Sequence, residues 1–114
     1  MKIAVPKEIK NGECRVALTP DAVRALKNAG HSPIVQQSAG VLSGFSDAEY
    51  RRTGAKIART AQELWLQADL IVKVKEPQKS EFRFFTKSKI LFCYLHLAAE
   101  PALARALLSS GITA

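Results

Sequence analysis

The chain has 114 residues, 47% hydrophobic and 24% charged, with a formal net charge of +7 at pH 7. That is one domain's worth of globular chain, with no apolar run of membrane-spanning length and with charges where a signal peptide needs an apolar core, so a cytoplasmic location is expected. Cys14 and Cys93 are too few and too differently placed for a disulfide framework or a metal site, and the basic residues are spread.

Taken in order, Lys2 to Val5 is a short apolar strand stopped by Pro6. A loop crowded with charge follows, Lys7-Glu8-Ile9-Lys10-Asn11-Gly12-Glu13-Cys14-Arg15, turned at Asn11-Gly12. Thr19-Pro20-Asp21 reads as a helix start: a Thr cap, Pro at the first helical position and an acid in the first turn. That helix places Ala22, Val23, Leu26 and Ala29 on one face and stops at Gly30. Pro33 to Gln36 is a second strand.

Ser38 to Phe45 is a glycine-containing loop whose spacing fits neither a P-loop nor the dinucleotide fingerprint, and no Gly-x-Gly-x-x-Gly occurs anywhere. Ser46 and Glu49 form a capping box for a helix ending near Gly54, Lys56 to Ala58 is a brief strand, and Thr60 and Glu63 form a second capping box, opening a helix through Leu64, Trp65 and Ala68. Arg51, Arg52, Lys56 and Arg59 are the only loose basic cluster. Without interleaved aromatics or a recognition-helix motif, no nucleic-acid partner is expected.

Asp69 to Lys75 reads as a strand broken at Glu76-Pro77, and Ser80 to Phe85 as an amphipathic or irregular segment. Period-2 alternation puts Ile71, Lys73 and Lys75 on one face. Lys73 is expected to be a solvated strand end, and Lys75 to face an anion. Ile90 to Leu95 is nearly unbroken in apolar character, which predicts a strand buried on both faces, with Cys93 as a small core residue. His96 follows where that strand should leave the sheet. Pro101 opens a last helix carrying Leu103, Ala104, Leu107 and Leu108, and Ile112 looks like the start of one more strand.

Strands and helices alternate throughout, which predicts an α/β fold, a parallel sheet flanked by helices. A domain ending as a strand begins is expected to be part of something longer.

Several linked motifs, in order and over essentially all 114 residues, resemble the alanine dehydrogenase family. They are Pro6 to Pro20 (Pro-Lys-Glu-Ile-Lys-Asn-Gly-Glu-Cys-Arg-Val-Ala-Leu-Thr-Pro), Ala39 to Asp47, Ala68 to Pro77, and Leu91 to Ala98 (Leu-Phe-Cys-Tyr-Leu-His-Leu-Ala). The wider family includes the α subunit of proton-translocating nicotinamide nucleotide transhydrogenase, in which a histidine at the position of His96 is not expected. The resemblance implies a flavodoxin-like or Rossmann-like substrate domain, incomplete within residues 1–114, with the NAD-binding Rossmann domain outside them. It implies reversible oxidative deamination of L-alanine to pyruvate and ammonium with NAD as cofactor, and no membrane partner. A homo-oligomer, often a hexamer, is implied for the full-length protein.

Residue by residue, the resemblance makes His96 the general acid/base and Lys75 a catalytic and substrate-binding residue. Arg15 grips the substrate carboxylate and Tyr94 lies beside it. From proximity in sequence alone, Glu8 or Glu13 is expected to orient Arg15. Two alternatives stand beside this: a transhydrogenase substrate-like domain, and a non-enzymatic module that binds a small carboxylate. The 114 residues alone are expected not to oxidise alanine.

Overall fold

A computed structural model describes residues 1–114. Five short parallel strands form one sheet: β1 (Lys2–Val5), β2 (Ser32–Gln36), β3 (Lys56–Ala58), β4 (Leu70–Val72) and β5 (Ile90–Phe92). Their order is β3-β2-β1-β4-β5. This is the doubly wound order in which the chain builds outward from β1 in one direction and then in the other, leaving a crevice at the β1/β4 reversal. It is the Rossmann order rather than the flavodoxin one. A parallel bridge between Ile90 and Thr113 adds the beginning of a further pairing outside β5.

Helices α1 (Pro20–Asn28) and α2 (Asp47–Arg52) cover one face of the sheet, and α3 (Ala61–Gln67) and α4 (Pro101–Ser110) cover the other. Their starts are set locally. The Thr19 side chain accepts from the Ala22 N–H, Ser46 and Glu49 close a reciprocal capping box, and Thr60 accepts from the Glu63 N–H, but the expected second box stays open because Glu63 accepts from the Arg59 N–H instead of the Thr60 N–H. Strand alternation sorts the core into two clusters. Val5 and Val35 pack under α1 and α2 with Val23, Ala39 and Tyr50. Ala4, Ile34, Ile71 and Leu91 pack on the opposite face with Leu64, Trp65, Leu103 and Leu107.

That arrangement corrects two expectations. The β4 and β5 strands stop at Val72 and Phe92 instead of running to Lys75 and Leu95. Nor is β5 buried on both faces: Leu91 is buried, but Phe92 is 70% and Tyr94 72% exposed. The cause is that α1 and α2 cross only the β1–β2–β3 half of their face. A continuous apolar run fitted a doubly covered strand, yet one face of this strand has no cover within residues 1–114. Leu97–Ala99 forms a 3₁₀ turn after β5, as do Val41–Ser43 and Lys79–Phe84 elsewhere.

Candidate active site

The segments leaving β1, β4 and β5 lie side by side at the carboxyl end of the sheet. The β1/β4 crevice is where open α/β sheets receive ligands. Buried Pro6 ends β1, and the charged loop then turns across the mouth of β4. Glu8 fastens it there. One Glu8 oxygen accepts the Lys75 N–H at 2.9 Å; the other accepts the Val74 N–H and the Lys73 ammonium, each at 3.3 Å.

Lys73 is therefore not a solvated strand end, as the sequence suggested, but a buried cation, 4% exposed. It also lies 3.4 Å from Glu81. A lysine is buried only when its charge is matched, and here both partners are non-local, on the β1 loop and the turn before β5. Burial pushes the Glu81 carboxyl up while Lys73 opposes it, and burial pushes the adjacent Cys93 thiol up to about 12. Cys93 is thus a poor nucleophile.

Farther along the β1 loop, a turn closed by Glu13 N–H to the Lys10 carbonyl at 3.0 Å brings Arg15 back over Glu13. Gly12 sits in this turn at φ 79°, a conformation that favours glycine. The Arg15 Nε and Nη2 donate to the two Glu13 oxygens at 2.9 and 2.8 Å, leaving the Nη1 edge unengaged. Those hydrogen bonds hold the Glu13 carboxyl at about 2. Arg15 lies within electrostatic reach of Tyr94, as Glu13 does of Lys75. Glu8 makes no hydrogen bond to Arg15; it holds the backbone N–H groups of Val74 and Lys75.

Beyond the formal strands, the β4 and β5 exits stay paired: the Lys73 N–H donates to the Phe92 carbonyl at 3.0 Å, and the Tyr94 N–H to the Val74 carbonyl at 3.2 Å. This places Tyr94 against the Lys75 segment. Two residues later His96 adopts φ 51°, ψ 39°, a left-handed conformation that costs a non-glycine residue free energy and recurs at functional sites. Its ring Nδ1 lies 2.8 Å from Glu76.

Glu76 itself is buried, and its other oxygen accepts from the Lys10 ammonium. Burial pushes the Glu76 carboxyl up, but the hydrogen bonds from Lys10 and His96 outweigh it and leave it at about 2. An ionised carboxylate only accepts, so Nδ1 carries the hydrogen, and a neutral ring presents its lone pair on Nε2. The His96 side chain is 46% exposed against 2% for Glu76, so one edge of the ring is anchored and the other is open. The arrangement is a base oriented by a buried acid.

Sequence reasoning missed Glu76, Lys10 and the burial of Lys73. One local signal existed for Glu76: the following Pro77 restricts it to an extended backbone, fixing where its side chain projects. Nothing local marks a contact 66 residues away with Lys10. No group of three His, Cys, Asp or Glu side chains gathers to hold a metal. The roomiest cleft, about 430 Å³ near Arg24, Phe45 and Arg52, contains none of these residues.

A family model described as alanine dehydrogenase/PNT, N-terminal domain, matches residues 4–114. The alanine dehydrogenase of Halomonas elongata is 54% identical over 113 residues, 99% of this chain and 30% of that protein. That of Bacillus subtilis is 50% identical over 114 residues, 100% of this chain and 30% of its own length. A solved L-alanine dehydrogenase matches with a TM-score of 0.95 at 44% identity, covering 98% of this chain and 31% of that one. A solved transhydrogenase from Sinorhizobium meliloti matches with a TM-score of 0.90 at 27% identity, covering 98% and 33%. The chain spans about 30% of the length of the curated relatives it matches. It belongs to the alanine dehydrogenase/PNT N-terminal domain family.

Proposed function

We propose that these residues are the substrate-side portion of an NAD-dependent L-alanine dehydrogenase, converting L-alanine, NAD and water to pyruvate, ammonium and NADH. The observation that carries this reading is the His96–Glu76 pair, with Glu76 held from its other oxygen by Lys10, where the exits of β1, β4 and β5 lie side by side.

Arg15 would take the carboxylate of alanine or pyruvate on its unengaged edge, with Glu13 holding the guanidinium plane. Lys75, its backbone held by Glu8, would donate to the substrate oxygen and stabilise negative charge developing there. His96 Nε2 would move the proton on the substrate heteroatom as the carbinolamine forms and collapses. Glu76 would keep the ring in one tautomer and stabilise its charged form.

NAD supplies the hydride acceptor when bound. Residues 1–114 do not fit it. They carry no Gly-x-Gly-x-x-Gly, β1 ends at Pro6 instead of a glycine turn, and at Gly40 an added Cβ would stand 2.6 Å from the Tyr50 ring. We assign its binding to a part of the protein outside these residues. Residues 1–114 alone are then expected to show no pyruvate-dependent NADH oxidation. In keeping with the family resemblance, we place the whole protein in the cytoplasm as a homo-oligomer, often a hexamer. No helix here is long and apolar enough to cross a membrane.

The test is alanine-dependent NAD reduction by the full-length protein and by its His96→Ala variant. Loss of an acid/base group predicts a fall of roughly 10²- to 10⁴-fold. Absence of alanine turnover in the parent protein, or an unchanged rate in the variant, would overturn the assignment. Pyruvate binding without turnover would point to a carboxylate-binding module. Hydride exchange between nicotinamide nucleotides that is insensitive to His96→Ala would point to a transhydrogenase.

A further inference from the structure

We infer that Lys10 is a positioning residue that sets the pH range in which His96 can act as a base, by holding the second oxygen of the carboxylate that His96 uses. The inference rests on the acid/base role proposed above. Its geometry is a three-membered chain, Lys10 Nζ to Glu76 Oε1 and Glu76 Oε2 to His96 Nδ1, assembled from the exits of β1, β4 and β5.

Charge counting gives the direction. Glu76 is almost wholly buried, so its negative charge must be matched by cations that touch it. With Lys10 in place the Glu76–Lys10 pair is neutral, and His96 can stay uncharged without leaving a buried anion alone. Adding a proton to the ring then introduces an unmatched positive charge near the Lys10 ammonium. Without Lys10 the situation reverses: the buried carboxylate has no cation until His96 takes up a proton. Lys10 therefore makes the neutral, proton-accepting ring available at lower pH.

Other charged groups surround the ring without sharing its carboxylate. Glu8, Lys73 and Glu81 form their own cluster beside Cys93, two carboxylates sharing one ammonium. Arg15, Glu13, Lys75 and Tyr94 lie at the mouth of the crevice. Glu100 ends the short turn that His96 opens. All are unchanged when Lys10 is replaced, so a shift on replacement belongs to the Lys10–Glu76–His96 chain.

The experiment uses the full-length protein with Lys10→Gln, Lys10→Arg and Glu76→Gln, each read in two ways. One is the pH profile of kcat/KM for alanine oxidation; the other is NMR titration of the His96 ring, assigned by its loss in His96→Ala. Lys10→Gln is expected to move the limb where activity rises with pH, and the ring midpoint, upward by on the order of one pH unit. Lys10→Arg keeps the charge and should restore the parent positions, while Glu76→Gln should move both downward. An unchanged or lowered ring midpoint in Lys10→Gln would overturn the inference, as would a uniform fall in kcat/KM with the limb in place, the mark of a mere tether. Should the parent protein fail to turn over alanine, the proposed function falls. The ring titration would still decide the claim about Lys10.

Discussion

Lys73 and His96 each lean on a buried carboxylate just beyond a strand end, but one is sealed and the other is open. In the inner cluster the side chains of Lys73, Glu8 and Glu81 are only 1%, 3% and 4% exposed. In the outer one Glu76 is as buried as these, while His96 and Lys10 reach solvent. Both clusters join the β1 loop to the β4 exit, within a few residues of each other. The inner one has no free donor or acceptor edge directed at a ligand and acts as a clamp on the backbone around Lys75. The outer one keeps Nε2 free. The same reliance on a buried carboxylate thus leaves Lys73 sealed among its partners and His96 with one ring edge toward solvent.

Removing the inner cation should give the largest change in stability. Lys73→Met leaves Glu8 and Glu81 buried with no partner charge, and breaking such a cluster costs on the order of 3–5 kcal/mol. The urea midpoint of the full-length protein should fall accordingly. Lys10→Met, by contrast, should lower it by less, since Lys10 is part-exposed and Glu76 retains the hydrogen bond to His96. Equal losses in the two variants would erase the distinction between the clusters.

Acid should reveal the outer cluster next. The Glu76 carboxyl is lowered from 4.5 to about 2, so the folded protein resists its protonation more than the unfolded chain does. The resulting stability is fully present above pH 4.5 and is lost as pH falls toward 2. Its ceiling is about 3 kcal/mol, from the size of the shift. Glu76→Gln should flatten the acid limb of a stability–pH curve in that window. Glu81 works with the opposite sign: its carboxyl is raised, so the stability of its protonated form is lost as pH rises above the unfolded value. Replacing Glu81 should therefore not flatten the acid limb.

The difference between the clusters also explains what could be read from sequence. Alternating strands and helices, the Thr19, Ser46 and Thr60 caps and the positions of Arg15, Lys75 and His96 near strand exits depend on neighbours within a few residues, and local pattern carries them. Lys73 was misplaced because the residues that bury it lie 65 positions before it and in the turn leading to β5. The length of β5 was overread because an apolar run does not say which face is covered. Glu76 stood beside Pro77 and read as a strand breaker; its partners are 20 and 66 residues away. Pairings of that kind come into being only once parallel strands are in register.

The Glu13–Arg15 pair, its Arg15 side chain 64% exposed over a Glu13 side chain that is 6% exposed, offers the smallest expected effect on stability and the sharpest separation of structure from function. The guanidinium end of the pair is open to solvent, which screens its contribution to folding, so Glu13→Gln should change the urea midpoint of the full-length protein little. An amide cannot accept both donors of the guanidinium fork, so Arg15 loses its fixed plane while keeping its charge. If the Nη1 edge receives the substrate carboxylate, KM for pyruvate should rise by roughly 3- to 10-fold with kcat nearly constant, the signature of weakened ground-state and transition-state binding alike. A matching fall in kcat would instead mean that Arg15 contacts the substrate chiefly in the transition state. No change in either constant would mean that the Glu13 pairing is incidental, and that only the two carboxylates behind the rim, Glu8 and Glu76, shape the site.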